Sequence, residues 1–254
     1  MLQGRASEQG STTQPLLTTT NDDYHHHETD ALITPLDMVR HENVSRHAVG
    51  VQVSALLFVV VVWSIVFSTM SILSLPLFGY HPLIQSFTIL LLLQAIVVLQ
   101  RTTPSQPAAK KSAFTAHQWI NLILVLPLFT AGASIMWYLH DQPASAHFIS
   151  YHGILGTAVV IAAWVQAAFG AASVWWKGKL VGGENKGKAL WKWHRLSGYV
   201  LIALFLLTAV LGVVETTWGK RNARPIQKGV TVVTLSLAAF AMLIRVQKSK
   251  LPKL

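Results

Sequence analysis

The sequence predicts an all-α integral membrane protein with six transmembrane helices, and three observations predict it. Hydrophobic residues make up 52% of the 254-residue chain and charged residues only 12%. The charges are segregated: no Asp, Glu, Lys or Arg occurs from His47 to Gln100, from Ser112 to His140, from Gln142 to Trp176, or from Leu196 to Val214. Four histidines, His81, His117, His152 and His194, stand at or near the start of apolar stretches, 36, 35 and 42 residues apart. A spanning helix takes about 20 apolar residues, so each interval is one helix plus one turn. A soluble bundle would need charged faces at helical period within each segment, and these segments have none.

Residues 1–46 are polar and contain no apolar run, which predicts a disordered cytoplasmic tail. Its run His25, His26, His27 has metal-binding side chains but implies no fixed geometry. No basic flank with an apolar core stands at the N-terminus, so the first span is expected to act as its own insertion signal. Spans are predicted at 51–74, 81–100, 117–139, 150–174, 194–215 and 229–246. They lie in a membrane domain of 47–248, followed by a short cytoplasmic tail, 249–254. Pro76, Pro82, Pro104, Pro107, Pro143 and Pro225 punctuate the turns. Arg40, Arg46, Arg101, Lys110, Lys111, Lys177, Lys179, Lys186, Lys188, Lys192, Arg245, Lys248, Lys250 and Lys253 fall on one side, against Lys220, Arg221, Arg224 and Lys228 on the other. The excess places both termini in the cytoplasm and accounts for the net charge of +10 without nucleic acid.

An ionisable side chain in a span is costly and marks a functional site by default. Successive helices run in opposite directions, so His81 pairs with His152 near the outer face and His117 with His194 near the cytoplasmic face. Two neutral imidazoles facing each other suit the axial positions of a haem iron. The absence of cysteine excludes iron–sulfur clusters, thiolate chemistry and covalent haem attachment. Zinc asks for four ligands where each face offers two histidines. A proton relay competes, although relays usually recruit carboxylates and the spans carry none before Glu215. Gly156 and Gly198 follow His152 and His194 by one turn and leave an open surface for a flat ligand or for helix packing. Gln85 and Asn121 hold the same offset after His81 and His117 and offer hydrogen bonds.

Four segments carry a resemblance to the cytochrome b561 family: Tyr80-His81-Pro82-Leu83, Ala116-His117-Gln118-Trp119, Tyr151-His152-Gly153, and Lys192-Trp193-His194-Arg195-Leu196-Ser197-Gly198-Tyr199. The chain looks most like the compact members that consist of the six-helix unit alone. The resemblance implies a central four-helix bundle, helices two to five, holding two haems b, with helices one and six outside. It assigns His81 and His152 to the outer haem iron, and His117 and His194 to the inner one. It also implies one-electron transfer across a membrane from a cytoplasmic donor, typically ascorbate, to a ferric chelate or monodehydroascorbate. That is a transmembrane ascorbate-dependent oxidoreductase of ferric reductase type, in an endomembrane or the plasma membrane, with a homodimer as a further expectation.

Ascorbate is an anion, and Lys110, Lys111, Lys192 and Arg195 are the basic residues expected near the inner pair. Haem propionates are competing partners for Lys192 and Arg195. The chain departs from ascorbate-using members at the end of the second helix, where Val97-Val98-Leu99-Gln100-Arg101 carries a single charge. On the outer side, His140 and His147 flank a loop with Asp141, where they would either hold a ferric substrate or stand solvated. The rival functions are a haem subunit serving a quinone or partner protein, and a haem-free proton or ion transporter.

Overall fold

The computed structural model describes residues 46–100, 107–143 and 145–252. Residues 1–45 of the predicted tail 1–46, with His25 to His27 and Arg40, and Arg101, Pro104 and Lys253 lie outside the described residues, whereas Arg46 opens the first helix. Among those described, six helices are long and apolar enough to cross a membrane. They are α1 (Arg46–Thr69), α2 (Leu77–Gln100), α3 (Pro107–His140), α4 (Tyr151–Val174), α5 (Glu184–Val214) and, after the short α6 (Thr217–Asn222), α7 (Pro225–Ile244). Neighbours in sequence pack as neighbours in space from α1 through α5, α2 touches α5, and α7 lies against α1 and α5. Helices α2 to α5 therefore form the centre, with α1 and α7 outside it.

The helix starts follow local chemistry. Ser150 Oγ accepts the Gly153 N–H at 3.1 Å and caps α4, the Thr216 hydroxyl does the same for α6, and Pro225 opens α7. Hydroxyls within the spans return to carbonyls one turn back, as Thr130 to Leu126, Thr208 to Leu204 and Thr234 to Val230. No water competes for these groups in hydrocarbon, so each is satisfied inside its own helix. Gln52 and Gln94 pair at 2.6 Å between α1 and α2 for the same reason.

Helices α3 and α5 begin ten residues earlier than predicted, and α1, α2 and α7 four or five. His117 stands ten residues beyond Pro107, and His194 ten residues beyond Glu184, so neither histidine opens its helix. The added turns carry Lys110 and Lys111 in α3 and Lys186, Lys188 and Lys192 in α5. Apolar content ends where the bilayer ends, whereas the helix continues into water on its backbone hydrogen bonds. Pro82 likewise lies inside α2 and does not mark its start. Residues Ile120–Val125 of α3 wind as a π-turn. Pro127 just beyond has no N–H to return to the preceding turn, and the wider turn takes up that gap.

The core joins α1, α2 and α7 through Val51, Phe58, Ile65, Leu93, Leu235 and Met242. Phe129 of α3 and Phe205 of α5 stack with ring centroids 4.4 Å apart and planes within 9°, filling the middle of the central bundle. Between α4 and α5 the chain turns through three left-handed residues, Trp176, Lys177 and Gly178 (φ 50°, 56° and 68°). A Cβ on Gly178 would lie 2.9 Å from the Gly183 carbonyl oxygen, so this turn requires glycine there.

Candidate functional site

His81 on α2 and His152 on α4 come together, with ring centroids 6.0 Å apart and planes at 84°. His81 Nδ1 lies 2.8 Å from the Gly132 carbonyl oxygen of α3, and His152 Nδ1 lies 2.8 Å from that of Thr208 on α5. A carbonyl only accepts, so both rings carry their proton on Nδ1 and keep the Nε2 lone pair. That is the tautomer a metal-ligating imidazole needs, held by the kind of outer partner that usually orients such ligands. A metal–nitrogen bond of about 2 Å on either side, with about 1 Å from nitrogen to ring centre, gives about 6 Å between rings. The observed separation agrees.

This pair lines a cavity of about 650 Å³, within the range of cofactor sites. Phe129, Phe205, Trp164 and Val159 supply its apolar walls, and Gln85, Thr208 and Glu215 its polar points. Gln85 Nε2 donates to the Phe129 carbonyl at 3.1 Å, and Glu215 accepts the His152 backbone N–H at 3.4 Å. His140 and His147 stand on the lining too. His147 packs on Trp137, centroids 4.4 Å apart, and lies 3.8 Å from Asp141. Among the described residues no group of three or more His, Cys, Asp or Glu is placed to hold a metal ion.

At the other end of the bundle, His117 on α3 and His194 on α5 lie within electrostatic reach of each other. His117 Nδ1 is 3.0 Å from the Ala95 carbonyl oxygen of α2, which fixes the same tautomer. Asn121 Nδ2 donates to the His117 carbonyl at 2.7 Å, so its hydrogen bond stays within the helix. His194 Nδ1 is buried without a hydrogen-bond partner among the described residues. A buried polar atom left so costs about 1–3 kcal/mol. Gln166 of α4 steadies the His194 backbone, donating to its carbonyl at 2.6 Å, and accepts from Ser197 at 2.9 Å.

Glycines on facing helices make room for the rings. A Cβ on Gly170 would lie 2.7 Å from His194 Cε1, and one on Gly212 would lie 3.0 Å from His152 Cε1. Gly132 packs against the Gln85 side chain. Of the two glycines singled out in the sequence, Gly156 lines the cavity and meets the Thr208 methyl at ordinary contact distance. Gly198 differs from expectation: the Gln166 amide, 3.1 Å from where its Cβ would be, fills the surface beside it.

The basic residues separate into two groups. Arg195 is half-buried and its Nη1 donates to the Lys250 carbonyl at 3.1 Å, while Lys250 feels the charges of both Arg195 and Lys110. Lys111 and Lys192 are exposed. Burial, with repulsion from Arg195 and Lys110, lowers the Lys250 ammonium below its ordinary range. Sequence reasoning missed the place of Lys250, because a lysine after the last span already satisfies the charge bias of a cytoplasmic end.

The His81–His152 pair fits haem by tautomer and by separation, His117 shares the tautomer, and glycines leave room for the His152 and His194 rings. The family model described as eukaryotic cytochrome b561 matches residues 80–220, which contain all four histidines. A search of the curated proteins found no match.

Proposed function

The chain belongs to the eukaryotic cytochrome b561 family, and on that premise we propose that it moves single electrons across a membrane from cytoplasmic ascorbate to a ferric chelate or monodehydroascorbate. Family proteins are transmembrane reductases generally, and membership implies electron transfer through haems. His81 and His152 would hold an outer haem b, and His117 and His194 an inner one. Each haem, when bound, would supply a reversible one-electron couple.

The chain's own residues do the rest. Gly132, Thr208 and Ala95 hold their imidazoles by backbone carbonyls, so Nε2 stays available. Phe129 and Phe205 keep the space between the two ends apolar and dry. At the cytoplasmic end Lys110 and Arg195 attract an anionic donor. At the outer end His140, His147 and Lys220, which line the same cavity as His81 and His152, would meet the acceptor. The observation that carries this reading is the opposed His81–His152 pair, each ring locked in the ligating tautomer.

Purified protein in liposomes with trapped ascorbate tests it. External ferricyanide or ferric citrate should be reduced at a rate that depends on the protein, and His152→Ala should abolish the reduction. Reduction of the haems by ascorbate without external ferric reduction would leave a cytochrome subunit serving another acceptor, such as a quinone or partner protein. Absence of haem absorbance would leave the transporter.

A further inference from the structure

The cavity at the His81–His152 pair has a hydrogen-bond donor in its wall that the histidines do not use. Trp218 of α6 lines this cavity, and its indole Nε1 is buried without a hydrogen-bond partner among the described residues. An indole N–H can only donate, and a buried tryptophan normally meets an acceptor. Nearby oxygens are turned elsewhere: Glu215 accepts the His152 backbone N–H at 3.4 Å, and the Thr216 hydroxyl donates to the Gly212 carbonyl at 2.6 Å. A tryptophan that merely anchors a span end keeps its N–H in the wet headgroup layer, whereas this one is withdrawn from solvent.

The indole is also held in place. Its ring packs on Phe78 of α2, centroids 5.7 Å apart, and its backbone carbonyl accepts from Asn222 Nδ2 at 2.9 Å. The short helix that bears it is folded tightly onto the end of α5, where a Cβ on Gly219 would collide with the Val213 carbonyl oxygen. Lys220 stands on the same lining and forms no salt bridge among the described residues. A fixed N–H and a cation on one apolar wall suit an oxyanion, the cation attracting it and the N–H directing it.

We propose that Trp218 and Lys220 form a carboxylate-binding site in the wall of this cavity, the indole N–H donating to a carboxylate oxygen and the ammonium balancing its charge. This rests on the reading of the chain as a haem-bearing reductase, which offers two sources of that chemistry. One is a propionate of the outer haem, and the other is a carboxylate of an acceptor such as ferric citrate.

The full-length, haem-loaded protein tests the site through Trp218→Phe and through Trp218→benzothienylalanine, which keeps the double ring and carries sulfur in place of the N–H. Two quantities are read: the rate at which the outer haem passes to excess apomyoglobin, and the half-saturating concentration of ferric citrate against that of ferricyanide, which has no carboxylate. Loss of one hydrogen bond to a charged group corresponds to about ten-fold. With a propionate as the source, both replacements should speed loss of the outer haem about ten-fold and leave the inner one alone. With the chelate as the source, half-saturating citrate should rise about ten-fold while that of ferricyanide holds. Either result supports the site, and Lys220→Gln should move the same quantity in the same direction. If the benzothienylalanine variant matched the wild type in both quantities, the site would be overturned, even where Trp218→Phe differed, because that difference would come from packing. A wild-type chain without haem would overturn the reductase reading and the site with it, whereas silent variants of a haem-loaded chain would overturn the site alone.

Discussion

His81 and His152 face each other at 6.0 Å, and neither is held by the helix that bears it. Rings from α2 and α4 are fixed by carbonyls of α3 and α5. The relation is reciprocal for the first two helices: α3 holds the histidine of α2 through Gly132, and α2 holds the histidine of α3 through Ala95. Between α4 and α5 only half of it is made. Thr208 of α5 holds His152, while the Gly170 carbonyl beside His194 accepts from the Ser173 hydroxyl.

This arrangement predicts which substitutions share a phenotype. His81→Ala and His152→Ala should remove one and the same haem component from the absorbance spectrum, and His117→Ala and His194→Ala the other. Haem content should fall from two per chain to one in each. If His117→Ala and His194→Ala removed different components, the pairing across alternate helices would be wrong.

The glycine cradles predict a sharper effect than their size suggests. Gly170→Ala places a methyl within 2.7 Å of His194 Cε1, and overpacking of this kind costs about 1–3 kcal/mol. The inner component should be weakened or lost with the outer one intact, and Gly212→Ala should do the reverse at His152. Gly229→Ala, with nothing within 4 Å of its Cβ, serves as the control and should leave the spectrum unchanged.

Arg245→Met tests the pin that holds the segment after α7 to α2. It removes the donors to Gln100 Oε1 and Val97 O inside the protein, a loss of about 3 kcal/mol by the worth of hydrogen bonds to a charged group. Thermal unfolding in detergent should shift down, and proteolysis after α7 should accelerate. An unchanged melting temperature and cleavage pattern would show that Arg245 does not hold the segment.

Much of this was legible because membrane proteins write their spans in composition. Charge-free runs located the six helices, and antiparallel direction sorted His81 with His152 and His117 with His194. The helix starts were not legible: α3 and α5 extend past the bilayer as polar helix, where hydrophobicity carries no signal. The groups that fix the rings were also hidden, because Gly132, Ala95 and Thr208 act through backbone carbonyls that any residue possesses. Gly170 and Gly212 looked like ordinary small residues of helix packing.

The proposed reading gives each of the two crossed histidine pairs one haem. Haem quantified against protein, with low-temperature electron paramagnetic resonance of the oxidised form, tests it most directly. Two haems per chain are expected, both low-spin with two nitrogen axial ligands. One haem per chain, none, or a high-spin signal from an iron with a missing ligand would contradict it.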